Sequence, residues 1–212
     1  LYQRHSTALK QFHLALGSTV DPRNPEELKR LLRHRTVTGF ADFERYFDPV
    51  RYLLDNDPEF SYHQECFRQI IIDSASEGNR LVGIRATLGG HWRSPDEFQK
   101  AVLAAVIGIL RGEKAVGYRT LGVIILGIRK DLAQEKAERL LQTWLMLRES
   151  LRYDYSDYAA KLAGVDSVGG EESFDPAIHF NIFKKARSAG LLIMYHIGEA
   201  WQLGSLLEKL EQ

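Results

Sequence analysis

Leu121-Gly122-Val123-Ile124-Ile125-Leu126-Gly127-Ile128, closed by Arg129, is an apolar, β-branched run of strand length. It does not alternate with polar residues, so it reads as a strand buried on both faces, the pattern of a parallel sheet covered by helices. Three more such runs lie at Leu81–Ala86, Ala160–Val165 and Leu191–Ile197. Between them stand helical segments with good starts: Ser94-Pro95-Asp96-Glu97 before Phe98–Leu110, Asp131 before Leu132–Leu151, and Asp175-Pro176 before Ala177–Ala189. Strand alternating with helix requires parallel strands joined by crossover helices, which sets the class as α/β.

Upstream the signals are helical. Asn24-Pro25-Glu26-Glu27 precedes Leu28, Leu31 and Leu32; Asp57-Pro58-Glu59 precedes Phe60, Phe67, Ile70 and Ile71, with Gly78 placed to stop that helix. The expected organisation is a helical segment over residues 1–79 followed by βα units over 80–212, one structural domain overall. Neither low-complexity sequence nor a self-similar repeat interrupts it.

Composition narrows the function classes. Lys plus Arg and Asp plus Glu both number 28, so no net field draws in nucleic acid or acidic lipid. Cys66 is the single cysteine, which excludes an internal disulfide framework and a thiolate zinc site and favours a cytoplasmic setting. The longest apolar run, Leu121 to Leu126, is far below the ~20 residues of a membrane span. A soluble protein is expected.

In parallel α/β folds the carboxyl ends of the strands line the site. The first run ends in Arg85 and the second in Arg129. The third ends in Asp166, followed by Ser167-Val168-Gly169-Gly170-Glu171, and the fourth in His196-Ile197-Gly198-Glu199. A strand-end histidine, then a glycine and a carboxylic acid, offers a metal an imidazole and a substrate a proton donor. The plainer readings are a hydrogen-bonded scaffold histidine, arginines in salt bridges closing the mouth, and an aspartate that caps its loop.

Taken in order, these residues resemble the adenosine/AMP deaminase family, metal-dependent purine deaminases with an amidohydrolase-like barrel. That family has a strand ending in Asp-Leu-Ala-Gly-x-Glu and a later His-Ala-Gly-Glu. Phe40-Ala41-Asp42-Phe43-Glu44-Arg45-Tyr46-Phe47-Asp48 is similar to its helical segment before the second strand, and the resemblance spans about residues 24 to 212. It implies a (β/α)8 barrel with one zinc ion, at which an activated water attacks C6 of a 6-aminopurine nucleoside and ammonia leaves, as in adenosine to inosine. It further implies His196 as a zinc ligand and Glu199 as the proton donor to the purine ring. Gly169, Asp166, Phe43 and Phe47 would stand around the substrate, with core packing an equal alternative for the two phenylalanines, and Arg85 and Arg129 would support the strand ends.

The sequence also departs from the family. Its His-x-His pair of zinc ligands is absent, since His5, His13, His34 and His63 are isolated, and the chain stops soon after Glu199, before the family's Asp-Asp strand. Ser167 and Ile197 replace a leucine and an alanine of the two motifs. Four strands make about half of a barrel that takes typically ~250 residues. The expectation is therefore a partial (β/α)8 barrel of about four βα units. A missing barrel portion or a partner chain would complete it, and this chain alone would be inactive. Two other readings stay open: a deaminase-like pseudoenzyme serving as a nucleoside-binding or assembly module, and another metal-dependent hydrolase on the same barrel.

Overall fold

The computed structural model describes residues 57–88, 94–169 and 179–196. The chain divides into two units, Leu1–Tyr62 and His63–Gln212. The described part of the first unit is a helix start. Asp57 accepts from Ser61 Oγ at 3.1 Å and from the Tyr62 amide at 2.5 Å, satisfying donors that the first turn leaves open. Phe60 holds φ 53°, in the left-handed region, so helix α1 begins only after it and runs Ser61–Ser76. Gly78, at φ 83°, takes the left-handed turn that ends the segment. The expected start at Asn24 lies outside the described residues.

The second unit is built on one four-stranded sheet, order β1-β2-β3-β4, every pair parallel. Its strands are β1 (Leu81–Ala86), β2 (Leu121–Arg129), β3 (Leu162–Val168) and β4 (Leu192–Tyr195). Helix α2 (Pro95–Ala115) connects β1 to β2, α3 (Gln134–Leu151) and the short α4 (Ser156–Lys161) connect β2 to β3, and α5 (Phe180–Ser188) precedes β4. Four parallel strands with crossover helices are the α/β architecture that the apolar runs require.

The helices start and stop for identifiable reasons. Ser94 caps α2 by accepting from the Glu97 amide, with Pro95 in the first turn and Asp96 and Glu97 beside the helix's positive end. This helix runs five residues past its expected end at Leu110, because Gly108 and Gly112 are contact points rather than breaks. A Cβ on Gly108 would lie 2.2 Å from the Gln64 carbonyl oxygen, and one on Gly112 2.8 Å from that of Arg68. The two glycines let α1 approach backbone to backbone. Helix α3 begins at Gln134 without a side-chain cap. Asp131, the expected cap, instead meets Arg129 through two 2.8 Å hydrogen bonds.

Strand β3 starts two residues later than the sequence pattern suggests, because Ala160 and Lys161 finish α4. Lys161 lies 2.5 Å from the buried carboxylate of Glu113, which also accepts from the Gly122 amide at 2.8 Å. That buried pair fixes the end of α4 against α2 and the start of β2. The pairing with β2 slips between Ile124 and Ile125 and then holds Gly127 opposite Asp166 and Arg129 opposite Val168. Asp166 therefore sits two residues inside the strand, not at its end.

The two faces of the sheet differ. Ile84, Ile124, Leu126, Ile128, Leu162 and Val165 point to the helices and join Phe98, Val102, Trp144 and Ile182 in one core. The opposite face carries Leu81, Leu121, Leu192 and Met194, which are 68%, 45%, 60% and 40% exposed. At its carboxyl end that face carries Arg85, Asp166 and, just beyond β4, His196.

Candidate active site at the carboxyl mouth of the sheet

Register brings the site residues together. Arg85 pairs with Ile125, Ile125 with Gly164, and Asp166 with Met194, so Arg85 of β1 and Asp166 of β3 stand on one face towards the carboxyl end of the sheet. His196 follows β4 directly, and its amide donates to the Ser167 carbonyl at 3.1 Å, extending the parallel ladder by one step. The imidazole then falls beside Asp166. Nδ1 of His196 is 2.7 Å from Asp166 Oδ2, and Arg85 NH1 lies 3.6 Å from the same oxygen and 3.5 Å from Nδ1.

The three side chains differ in access. Asp166 is fully buried, His196 is 17% exposed and Arg85 is 43% exposed. The histidine approach is short but oblique: neither Asp166 oxygen accepts an aligned hydrogen bond among the described residues. A carboxylate withdrawn from water in this way is held by the positive charge of Arg85 beside it.

Lys130 is a member of this cluster that the sequence did not announce. It is 1% exposed, its amide donates to the Val168 carbonyl at 2.8 Å, and its ammonium donates to the His196 carbonyl at 3.0 Å. It ties the end of β2 to the end of β3 and to the residue that follows β4. Its only sequence signal is a charged residue directly after a continuous apolar strand. Lysine is so seldom buried that the default reading sends it to solvent.

Arg129 points elsewhere. Its ion pair with Asp131 is partly exposed and closes the β2 loop, and the guanidinium holds the Asp131 carboxyl below the usual carboxylate range. Gly169 follows β3 at φ 101°, a conformation that side chains resist, and lies next to the Lys130 amide. Glu199, Phe43 and Phe47 lie outside the described residues.

Metal-bound imidazoles usually have their second nitrogen oriented by a carboxylate or carbonyl; here the Asp166 carboxylate stands 2.7 Å from Nδ1, but the aligned contact at that nitrogen is with Arg85 NH1 at 3.5 Å. Among the described residues no three histidine, cysteine, aspartate or glutamate side chains come together. The residues present thus fit one ligand with a carboxylate beside it, while a structural or catalytic zinc takes at least three protein ligands.

No family model matches the sequence. Solved structures define the class first: the chain has the fold of about half an amidohydrolase-type barrel. It superposes on an amidohydrolase from Burkhoderia ambifaria, solved with bound zinc, with a TM-score of 0.62 at 16% identity over 91% of this chain and 48% of that one. On the N6-mAMP deaminase of Arabidopsis the TM-score is 0.66 at 16% identity, covering 97% and 57%. The particular resemblance is to the adenosine deaminases: that of Clostridium acetobutylicum is 22% identical over 190 residues, 89% of this chain and 52% of that protein. The chain spans about half the length of the curated relative it matches.

Proposed function

We propose that this chain is the His196- and Glu199-bearing half of a zinc-dependent aminohydrolase that converts adenosine to inosine with release of ammonia. The observation that carries the reading is the placement of Asp166 and His196, from two separate motifs, 2.7 Å apart at the carboxyl mouth of a parallel sheet. That mouth is where barrels of this architecture hold their chemistry.

In this reading His196 is one metal ligand. Zinc, when bound, lowers the pKa of its water towards ~7 and so supplies hydroxide at neutral pH. Glu199 holds a proton for the purine N1, so that C6 becomes electron-poor as it is attacked. The positive φ of Gly169 brings bare backbone to the purine edge, and Phe43 and Phe47 wall the pocket. Adenosine is the preferred substrate by resemblance to the Clostridium protein, and N6-substituted nucleotides are the alternative that the Arabidopsis neighbour suggests.

The 212 residues would not act alone. Exposed Leu81, Leu121, Leu192 and Met194 line the face that a closed barrel buries, which supports completion by further barrel strands, on the same reading frame or on a partner chain. Residues 1–79 would be the helical segment before the second barrel strand and 80–212 its βα units. No helix among the described residues is long and apolar enough to cross a membrane, and the free, exposed Cys66 suits a reducing cytoplasm.

The test is Glu199→Gln in the complete reading frame. Loss of a general acid typically costs about 10²- to 10⁴-fold in rate, so kcat should fall by that much with zinc content unchanged. A variant that keeps its turnover would remove Glu199 from the reaction.

A further inference from the structure

We propose that Lys130 is the positioning residue of the mouth: its ammonium, reaching from the end of β2 across β3, holds the peptide that leads from His196 towards Glu199. The catalytic consequence rests on the deaminase reading, whereas the positioning itself does not.

Three hydrogen bonds close a ring over the strand ends. The Lys130 amide donates to the Val168 carbonyl at 2.8 Å, the His196 amide to the Ser167 carbonyl at 3.1 Å, and the Lys130 ammonium to the His196 carbonyl at 3.0 Å. Lys130 thereby grips the last residue of β3 and the first residue after β4, one from each of the two motifs. The pairing of β3 with β4 runs as far as Ser167 opposite Tyr195. In a continuing parallel ladder the next amide of β3 would meet the His196 carbonyl. Strand β3 ends at Val168, however, and Gly169 takes φ 101°, outside the strand region. A side chain from β2 supplies a donor instead. Strands β2 and β4 flank β3 and at the usual spacing stand about 9–10 Å apart, so only a long side chain bridges them.

Burial makes this contact specific. Lys130 is 1% exposed, and an ammonium withdrawn from water needs acceptors fixed around it. The carbonyl it holds belongs to the planar peptide that follows His196, so the bond fixes that plane and the direction in which the chain sets out towards Glu199.

Amide hydrogen exchange in the complete protein tests the positioning without metal, substrate or turnover. Lys130→Met keeps the stem and loses the donor, so the bond from His196 to Ser167 then closes an untethered end. The His196 amide should lose protection by about 10-fold or more, the scale set by a hydrogen bond to a charged group, and the Leu126 amide inside β2 by a smaller factor. Should the methionine variant fold poorly, Lys130→Gln, shorter and uncharged, should show the same contrast. An unchanged His196 amide would overturn the proposal. So would equal losses at His196 and Leu126, which would make Lys130 a general stabiliser of the fold. In turnover, kcat for adenosine should fall by about 10-fold or more in Lys130→Met, with KM and zinc content nearly unchanged. A rise in KM alone would place Lys130 against the substrate and contradict the positioning role. A wild-type protein that releases no ammonia would defeat the deaminase reading, and the exchange result alone would then decide the role of Lys130.

Discussion

At the residue scale, buried polar groups organise the mouth and the layers behind it. His179, at the start of α5, shows how such a group responds to pH. It is 1% exposed, and its Nε2 lies 3.2 Å from the Leu132 carbonyl oxygen, which it serves as donor in the neutral form. Burial holds its pKa below the ordinary histidine value, against smaller opposing pulls from the Leu132 carbonyl and Asp131. The folded-state value lies below the unfolded one, so its contribution to stability is full above the unfolded value and is lost as pH falls through the folded one. We expect the urea midpoint to drop between about pH 7.5 and about pH 5.5, and to drop less in His179→Gln, whose amide can still donate to Leu132 while holding no titratable proton. Equal drops in both proteins would contradict this. His196 and Arg85 were legible as strand-end polar residues because they stand directly after apolar runs. The burial of Asp166 and Lys130 was not legible, since it depends on strand register and on neighbours far away in sequence.

At the scale of elements, the four strands and their helices were legible from apolar runs bounded by Ser94-Pro95 and similar starts, and β1 falls on its expected residues. The elements depart from the local signals where a residue is engaged by another partner. Asp131 would cap α3 in isolation but is taken by Arg129, and Ala160 and Lys161 have strand-like company but are held in α4 by Glu113. Gly108 and Gly112 read locally as helix-weakening, whereas in the fold they seat α2 on α1. This yields a prediction opposite to helix propensity. Gly108→Ala should gain ~1 kcal/mol from propensity, yet a methyl 2.2 Å from the Gln64 carbonyl oxygen forces the helices apart. Overpacking of that kind costs about 1–3 kcal/mol or more, and here the obstacle is backbone, so the variant should melt below the parent protein. A higher Tm would show that α1 shifts freely on α2.

At the scale of the molecule, one side of the sheet is covered by helices, while the other buries Ile125 and Asp166 but leaves Leu81, Leu121, Leu192 and Met194 exposed. The helix-facing core is continuous from α1 to α5, while the exposed leucines of the other face stand at the strand starts, away from the charged carboxyl mouth. Parallel strands buried on both faces are the norm for α/β folds. The exposed face and the roughly half-length match to adenosine-deaminase-like and amidohydrolase proteins therefore point the same way. In the proposed function this chain supplies one wall of a zinc deaminase site and a second half-barrel supplies the rest. Zinc content measured together with ammonia release from adenosine tests it most directly, comparing the 212-residue chain with the complete reading frame or reconstituted assembly. One zinc and turnover are expected in the complete protein and neither in the 212 residues alone. Turnover by the 212 residues, or a complete protein with no zinc and no ammonia release, would contradict it.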